Sequence, residues 1–526
     1  MKMRLAASAV ALALICGWGT MVTAQEPAKD AKPGAAAAGA DAKPAAGADA
    51  NAPKEESWPS DHTITIGGQT FSYKATPSTT LLKDEKGEPT ALMFSTAYTR
   101  NDTKNASQRP IAFVYNGGPG SASVWLHMGA FGPRRVTTAN AVPTGSAPYK
   151  VEDNANSLLD KTDLVFIDPV GTGFSHAVGK AQDKDFWGVD QDAHSIAQFI
   201  NIYLNRNGRW NSPKFLIGES YGTFRSAVVG NYLQSHDGIY VNGIVLISSV
   251  LNTETISFNA GDDLSYILYL PSYAATAAYH KMLNPAPADL TAFLADARKF
   301  AAGEFTDALM KGTNLTPDEK KDIATKLSKF IGLSPDYIEK ADLRVNLAQF
   351  SIELQRADRT QSGRYDSRYT MPTYDVLSEF AEEDPSYTGV RGAFTAALNS
   401  YMRDELKVTL ERQYQILSGQ VGGGWDWKHG QNGGFPSSPN VSSDLINAIQ
   451  TNANLRVQVE TGYYDMATPF FATEYTMDHL FLPGNLRSHI DIQYYGAGHM
   501  MYLRNEDLTK LKGNIGAFID STAKGQ

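Results

Sequence analysis

Apolar and polar residues alternate with a period of two over positions 62–66 and again over 70–73, with Gly67 and Gly68 between them, which predicts a β-hairpin with one buried face. A further apolar run at 91–94 extends the hairpin into the antiparallel edge of a mixed sheet. Downstream the pattern changes to short apolar runs at 111–115, 164–167, 215–217 and 243–248, interspersed with helical periodicities at 185–204 and from Ser220 to about His236. Strands that alternate with helices pair in parallel and are covered on both faces. From 252 to 454 helical stretches dominate, notably 286–302, 317–331 and 387–406, and few strand signals occur. Strands return at 455–460 and 489–494, ahead of a closing helix at 506–519. The expected architecture is α/β, a mixed and mostly parallel sheet with helices on both faces. Residues 58–251 and 455–526 supply the sheet, and 252–454 form a helical cap insertion.

The chain's beginning changes the expected compartment. Residues 1–24 combine a basic start, an apolar run and the small-residue ending Val22-Thr23-Ala24, the layout of a secretory signal peptide cleaved after Ala24. Residues 25–57 are mostly Ala, Pro, Lys, Asp and Gly, too poor in apolar surface to offset chain entropy, and read as a disordered tether. Cys16, inside that leader, is the only cysteine, so the mature chain has no disulfide and suits a bacterial periplasm or exterior. The apolar core of the leader is too short for a stable membrane anchor. A formal net charge of -9, more negative once Lys2 and Arg4 are removed, argues against a nucleic-acid partner. No spacing of His, Cys or carboxylates resembles a metal site, and no cofactor is expected.

Candidate chemistry centres on Gly218-Glu219-Ser220-Tyr221-Gly222, between a predicted strand and a predicted helix. That is the nucleophile-elbow pattern, in which a sharp turn exposes a serine Oγ and both glycines avoid a collision between strand and helix. Ser220 is the nucleophile candidate. The Gly-rich turn 116–120 follows an earlier strand and offers a second amide beside the one after the serine, so the N–H groups of Gly118 and Tyr221 are the oxyanion-hole candidates. A serine needs a base, and the base needs an orienting carboxylate. His499 and Asp465 each sit in a loop directly after a late strand, and the order Ser220, Asp465, His499 is that of α/β-hydrolases. Two polar-aromatic loops, 363–368 and 422–427, are more in keeping with structural roles than with ligand contact.

With these motifs in place the chain resembles the serine carboxypeptidase family, exopeptidases on an α/β-hydrolase fold. The resemblance rests on Asn116-Gly117-Gly118-Pro119-Gly120, Asp168-Pro169-Val170-Gly171 with Gly173-Phe174-Ser175, the elbow, and Gly498-His499-Met500. It implies that Ser220 is acylated, that His499 acts as base and then acid, and that Asp465 orients it. It also implies substrate binding by Asn116, Gly117 and Glu219, with Asn116 and Glu219 on the terminal carboxylate of a peptide. Two facing carboxylates repel unless one is protonated, so Glu219 is expected to have a raised pKa. Several positions depart from the family: Val114 stands where Trp is frequent, Ser121 where Cys is usual, Tyr463 where an Asp is frequent, and Tyr502 where Pro is common. An esterase or acyltransferase using the same triad is the rival expectation, and a catalytically silent binding protein is the other.

Overall fold

A computed structural model describes residues 53–381, 383–430 and 438–523. The leader expected over 1–24 and the tether up to residue 52 lie outside the described residues. Residues 55–57 run along the second strand: Ser57 bridges Ser78, and the Glu55 carboxylate accepts from the Leu81 amide at 2.6 Å.

Nine strands form the main sheet: β1 (Ser60–Ile66), β2 (Gln69–Lys83), β3 (Pro89–Arg100), β4 (Ile111–Tyr115), β5 (Asp163–Ile167), β6 (Lys214–Glu219), β7 (Gly243–Ile247), β8 (Arg456–Gly462) and β9 (Ile490–Tyr495). Their spatial order is β1-β2-β3-β5-β4-β6-β7-β8-β9, and a two-residue strand at His176–Ala177 adds to β3. The first three strands are antiparallel, and from β5 to β9 every neighbour is parallel. Successive side chains of a strand point to opposite faces, and β4 displays this directly. Ala112 and Val114 enter one core with Leu511 and Ile515 of the last helix, whereas Ile111, Phe113 and Tyr115 enter the other with Ile196 and Phe224. The expected mixed sheet, covered on both faces, is the one observed.

Helix α1 (Val189–Arg206) and the elbow helix α2 (Tyr221–Ser235) cover the second face. The expected start of α1 at residue 185 is four positions too early. Residues Asp183–Phe186 form a separate 3-10 turn, and Gly188 is extended because it bridges Asp426, whose carbonyl takes the Val189 amide. A partner more than two hundred residues away thus outweighs the local helical pattern.

Within 252–454, α3 (Leu264–Tyr279), α4 (Leu290–Phe300) and α5 (Pro317–Ile331) build a third core. The sequence reading missed α3, whose apolar surface is nearly continuous. It also began α4 too early, since Asp289 caps that helix through the Thr291 amide. Tyr464 and Met466, on either side of Asp465, belong to this third core, so the helical layer grips the loop that carries the aspartate. A later helix, α6 (Ser442–Thr451), packs instead on α2 in the sheet-covering layer.

Candidate active site

The register of the parallel strands brings the chemistry together. Tyr115 pairs with Gly218, Ile247 with both Glu219 and Glu460, and Gly462 with Tyr495, so the loops after β4, β6, β7, β8 and β9 leave one edge of the sheet side by side. Those loops hold Asn116, Ser220, Ser248, Asp465 and His499.

Ser220 sits between β6 and α2 at φ 60° and ψ -129°, a region that L-residues rarely occupy. The turn is held because the Ser220 amide donates to the Ile247 carbonyl at 3.0 Å and the Ser220 carbonyl accepts from Thr223 N at 2.8 Å. A Cβ on Gly218 would stand 2.1 Å from the Gly222 carbonyl oxygen, and one on Gly117 would stand 2.4 Å from the Tyr221 amide nitrogen. Strand, helix and Gly-rich loop approach too closely for side chains there. Among the described residues, the amides of Gly118 and Tyr221 donate no backbone hydrogen bond. Arg225, fully buried on α2, pairs with Asp192 at 2.6 Å and donates to the Asn116 carbonyl at 2.5 Å, which ties the Gly-rich loop to the elbow helix.

His499 and Asp465 form a fixed pair, with Nδ1 of His499 2.8 Å from Oδ2 of Asp465. Only an N–H can pair with an ionised carboxylate, so Nδ1 carries the proton and Nε2 is left as the acceptor. The other Asp465 oxygen accepts from the amides of Ala467 and Thr468, and the Thr468 hydroxyl donates to Oδ2 at 2.7 Å. The backbone of His499 is clamped as well: its amide donates to the Tyr365 carbonyl at 2.6 Å and its carbonyl accepts from Ser248 Oγ at 2.7 Å. Burial disfavours the imidazolium, but the charges of Asp465 and Glu219 outweigh it and hold the His499 pKa above its ordinary value. Ser220 and His499 line one pocket of about 430 Å³ and make no hydrogen bond with each other among the described residues. Catalytic contacts of this kind commonly tighten only once substrate is bound.

Asn116, Gly117, Gly118 and Glu219 line the same pocket. Every residue singled out from the sequence therefore lies here, with Asp465 and Tyr221 directly behind His499 and Ser220. Burial pushes the Glu219 carboxyl up to about 7. Asn116 Oδ1 accepts from the Leu126 amide at 3.1 Å, which turns Nδ2 the other way. Nδ2 of Asn116, Oε2 of Glu219 and Oη of Tyr502 are all buried, and their only near polar neighbours among the described residues are one another: Tyr502 and Asn116 both act on the Glu219 carboxyl, against the rise that burial causes. Buried polar groups whose hydrogen-bonding capacity is incompletely filled cost free energy, and three of them together suit a ligand with matching oxygens.

The loop Gly363–Arg368, expected from the sequence to be structural rather than in contact with a ligand, braces the site and lines both of its cavities. Its Arg364 carbonyl accepts from Met466 N, its Ser367 amide donates to the Tyr464 carbonyl, and the Tyr365 ring lies 5.2 Å from the His499 ring. Asp366, paired with Arg368 at 2.6 Å, accepts from the Gly498 amide. The density of charged and aromatic residues in that loop was the available signal. Trp425 and Trp427, in the second such loop, pack edge-on against the Tyr221 ring. The described residues contain no cluster of groups suited to hold a metal ion.

A mixed sheet with a strained serine at one strand end, and a buried acid–imidazole pair on loops from the same edge, defines an α/β-hydrolase. The model of the serine carboxypeptidase family matches residues 81–497, and the chain belongs to that family. It is 29% identical over 161 residues to the pheromone-processing carboxypeptidase KEX1 of Saccharomyces cerevisiae, which covers 29% of this chain and 21% of that protein. It is also 29% identical over 136 residues to the human retinoid-inducible serine carboxypeptidase, covering 25% of this chain and 27% of that one. The matched stretch is thus about a fifth to a quarter of the length of these relatives. The crystal structure of a prohormone-processing carboxypeptidase from Saccharomyces cerevisiae superimposes with a TM-score of 0.52 at 17% identity, over 86% of this chain and 91% of that one, which is a likeness of fold. No helix among the described residues is long and apolar enough to cross a membrane.

Proposed function

We propose that this protein is an exported serine carboxypeptidase that releases single residues from the C-terminus of peptides. The observation that supports this best is the buried polar trio of Asn116, Glu219 and Tyr502 beside the Ser220–His499 pocket, whose only near polar neighbours among the described residues are one another. A free carboxylate offers further acceptors to Asn116 Nδ2 and Tyr502 Oη. It meets Glu219 in the protonated state that burial favours up to about pH 7, so a hydrogen bond replaces repulsion.

With the terminal residue held there, Ser220 Oγ attacks the preceding carbonyl while His499 Nε2 takes its proton. The oxygen of the tetrahedral intermediate gains negative charge and accepts from the amides of Gly118 and Tyr221. His499, stabilised as a cation by Asp465, then gives the proton to the departing amine, leaving an acyl-Ser220. Water repeats the cycle with His499 again as base, and releases the shortened peptide. The leader at 1–24 would deliver the enzyme to the periplasm or the medium.

Mass spectrometry of a mixed peptide pool with free and with amidated C-termini tests the proposal. Loss of terminal residues from the free set alone is expected. Hydrolysis of small esters with both peptide sets intact would instead identify an esterase or acyltransferase.

A further inference from the structure

Two cavities meet at Ser220. Both are lined by Gly118, Ser220 and Tyr365; the first adds Asn116, Glu219 and His499, and the second, about 480 Å³, adds Phe224, Val250, Trp427 and Arg364. If the enzyme acts as proposed above, His499 must reach the leaving amine, so the departing residue occupies the cavity that His499 lines. The acyl side of the substrate, beginning with the penultimate residue, then falls into the second.

Arg364 is unusual in that second cavity. Its side chain is exposed, yet what it exposes is cavity wall with protein on most sides. Among the described residues its guanidinium forms no ion pair, and its nearest aromatic neighbour is the Tyr365 ring, 5.2 Å from the guanidinium carbon. The carboxylates near enough to attract it are already engaged. Asp465 serves His499, Thr468 and Ala467, and Asp384 serves Ser386 and the Tyr365 amide. None of the residues lining the cavity is acidic. A guanidinium left unpaired in a recess with aromatic walls is poised for a carboxylate, because its planar fork matches two oxygens and part of its hydration is already lost.

We infer that Arg364 makes the second cavity a subsite for an acidic side chain, so that the preferred peptides carry glutamate or aspartate as the penultimate residue. A neutral side chain of similar size fills the same space against Phe224 and Trp427 but leaves the guanidinium unpaired.

The test compares kcat/KM for matched substrates that differ only at that residue, at a pH where the glutamate side chain is ionised. One pair is the benzyloxycarbonyl dipeptides Glu-Leu and Gln-Leu. The other is the α-p-nitrophenyl esters of benzyloxycarbonyl-glutamate and benzyloxycarbonyl-glutamine, which need no terminal carboxylate. Wild type is expected to favour the glutamyl member of each pair by about tenfold. In Arg364→Gln the preference falls to about one, and in Arg364→Glu it passes to a lysyl substrate. Each ratio is internal to one variant, so differences in the amount of folded enzyme cancel. A wild-type ratio at or below one, or a ratio unchanged in Arg364→Gln, overturns the assignment. A glutamyl preference confined to the esters, with both dipeptides intact, supports the Arg364 subsite and overturns the carboxypeptidase reading instead.

Discussion

Nδ1 of His499 lies 2.8 Å from Oδ2 of Asp465 across 34 residues of sequence, with both side chains buried. The aspartate is held by its own loop through Ala467 and Thr468, and the histidine is held at both backbone ends by Tyr365 and Ser248. Neither ring nor carboxylate is free to turn away, so the imidazole is committed to one tautomer before substrate arrives.

That commitment predicts the behaviour of Asp465→Asn. The amide keeps the shape but favours the wrong tautomer, so kcat should fall by about 10³–10⁴ with little change in KM and an unchanged far-ultraviolet circular dichroism spectrum. A loss smaller than tenfold would remove Asp465 from the triad.

Ser220 is the proposed nucleophile and also sits in a strained backbone conformation. Ser220→Ala should abolish turnover and covalent labelling by an organophosphonate; labelling that persists would place the nucleophile elsewhere. At φ 60° a glycine costs less than an alanine, so Ser220→Gly should be more stable than Ser220→Ala by about 1 kcal/mol in denaturant unfolding.

The pH profile should depend on the substrate. In the proposed role Glu219 receives a carboxylate only while protonated, so kcat/KM for peptides should fall as pH rises through about 7, while small esters should lack that limb. Glu219→Gln should remove the limb. Each limb belongs to the coupled pair. Identical peptide and ester profiles in wild type would contradict this role.

The same carboxyl affects stability. Its folded pKa of about 7 is raised above an unfolded value of about 4.3, so its favourable contribution is complete below the unfolded value and is lost as pH rises to the folded one. Above neutrality the buried charge costs about 4 kcal/mol. Thermal melts should therefore show Glu219→Gln gaining on wild type at pH 8 and not at pH 4.

Tyr502→Phe removes one of the three buried polar atoms of the Asn116–Glu219–Tyr502 cluster without emptying the space. Stability should change little, since the hydroxyl's only near polar neighbours are Glu219 and Asn116 and its desolvation is relieved when it is removed. KM for peptides with a free C-terminus should rise severalfold while ester hydrolysis stays unaffected. Equal effects on both substrates would assign Tyr502 to packing alone.

Much of this was legible before any coordinates. The strands β4 to β7 are built on short apolar runs that are buried, and the elbow announces itself because Gly218 and Gly222 tolerate no Cβ. Asp465 and His499 could be picked out because each follows a strand, and parallel strands deliver their following loops to a common edge. Where local pattern competed with a distant partner it failed, as at Gly188, whose bridge to Asp426 delays α1.

The amino-acid sequence alone therefore determined the sheet, the elbow and the identity of the groups that can exchange a proton, since periodicity and backbone sterics act within a few residues. Tertiary structure decided that the loop at 363–368 braces both Asp465 and His499, that Tyr502 joins Asn116 and Glu219, and that Arg364 faces the second cavity unpaired. Those relationships follow from which segments pack together after long excursions of chain, and nothing in the local spacing of residues encodes them.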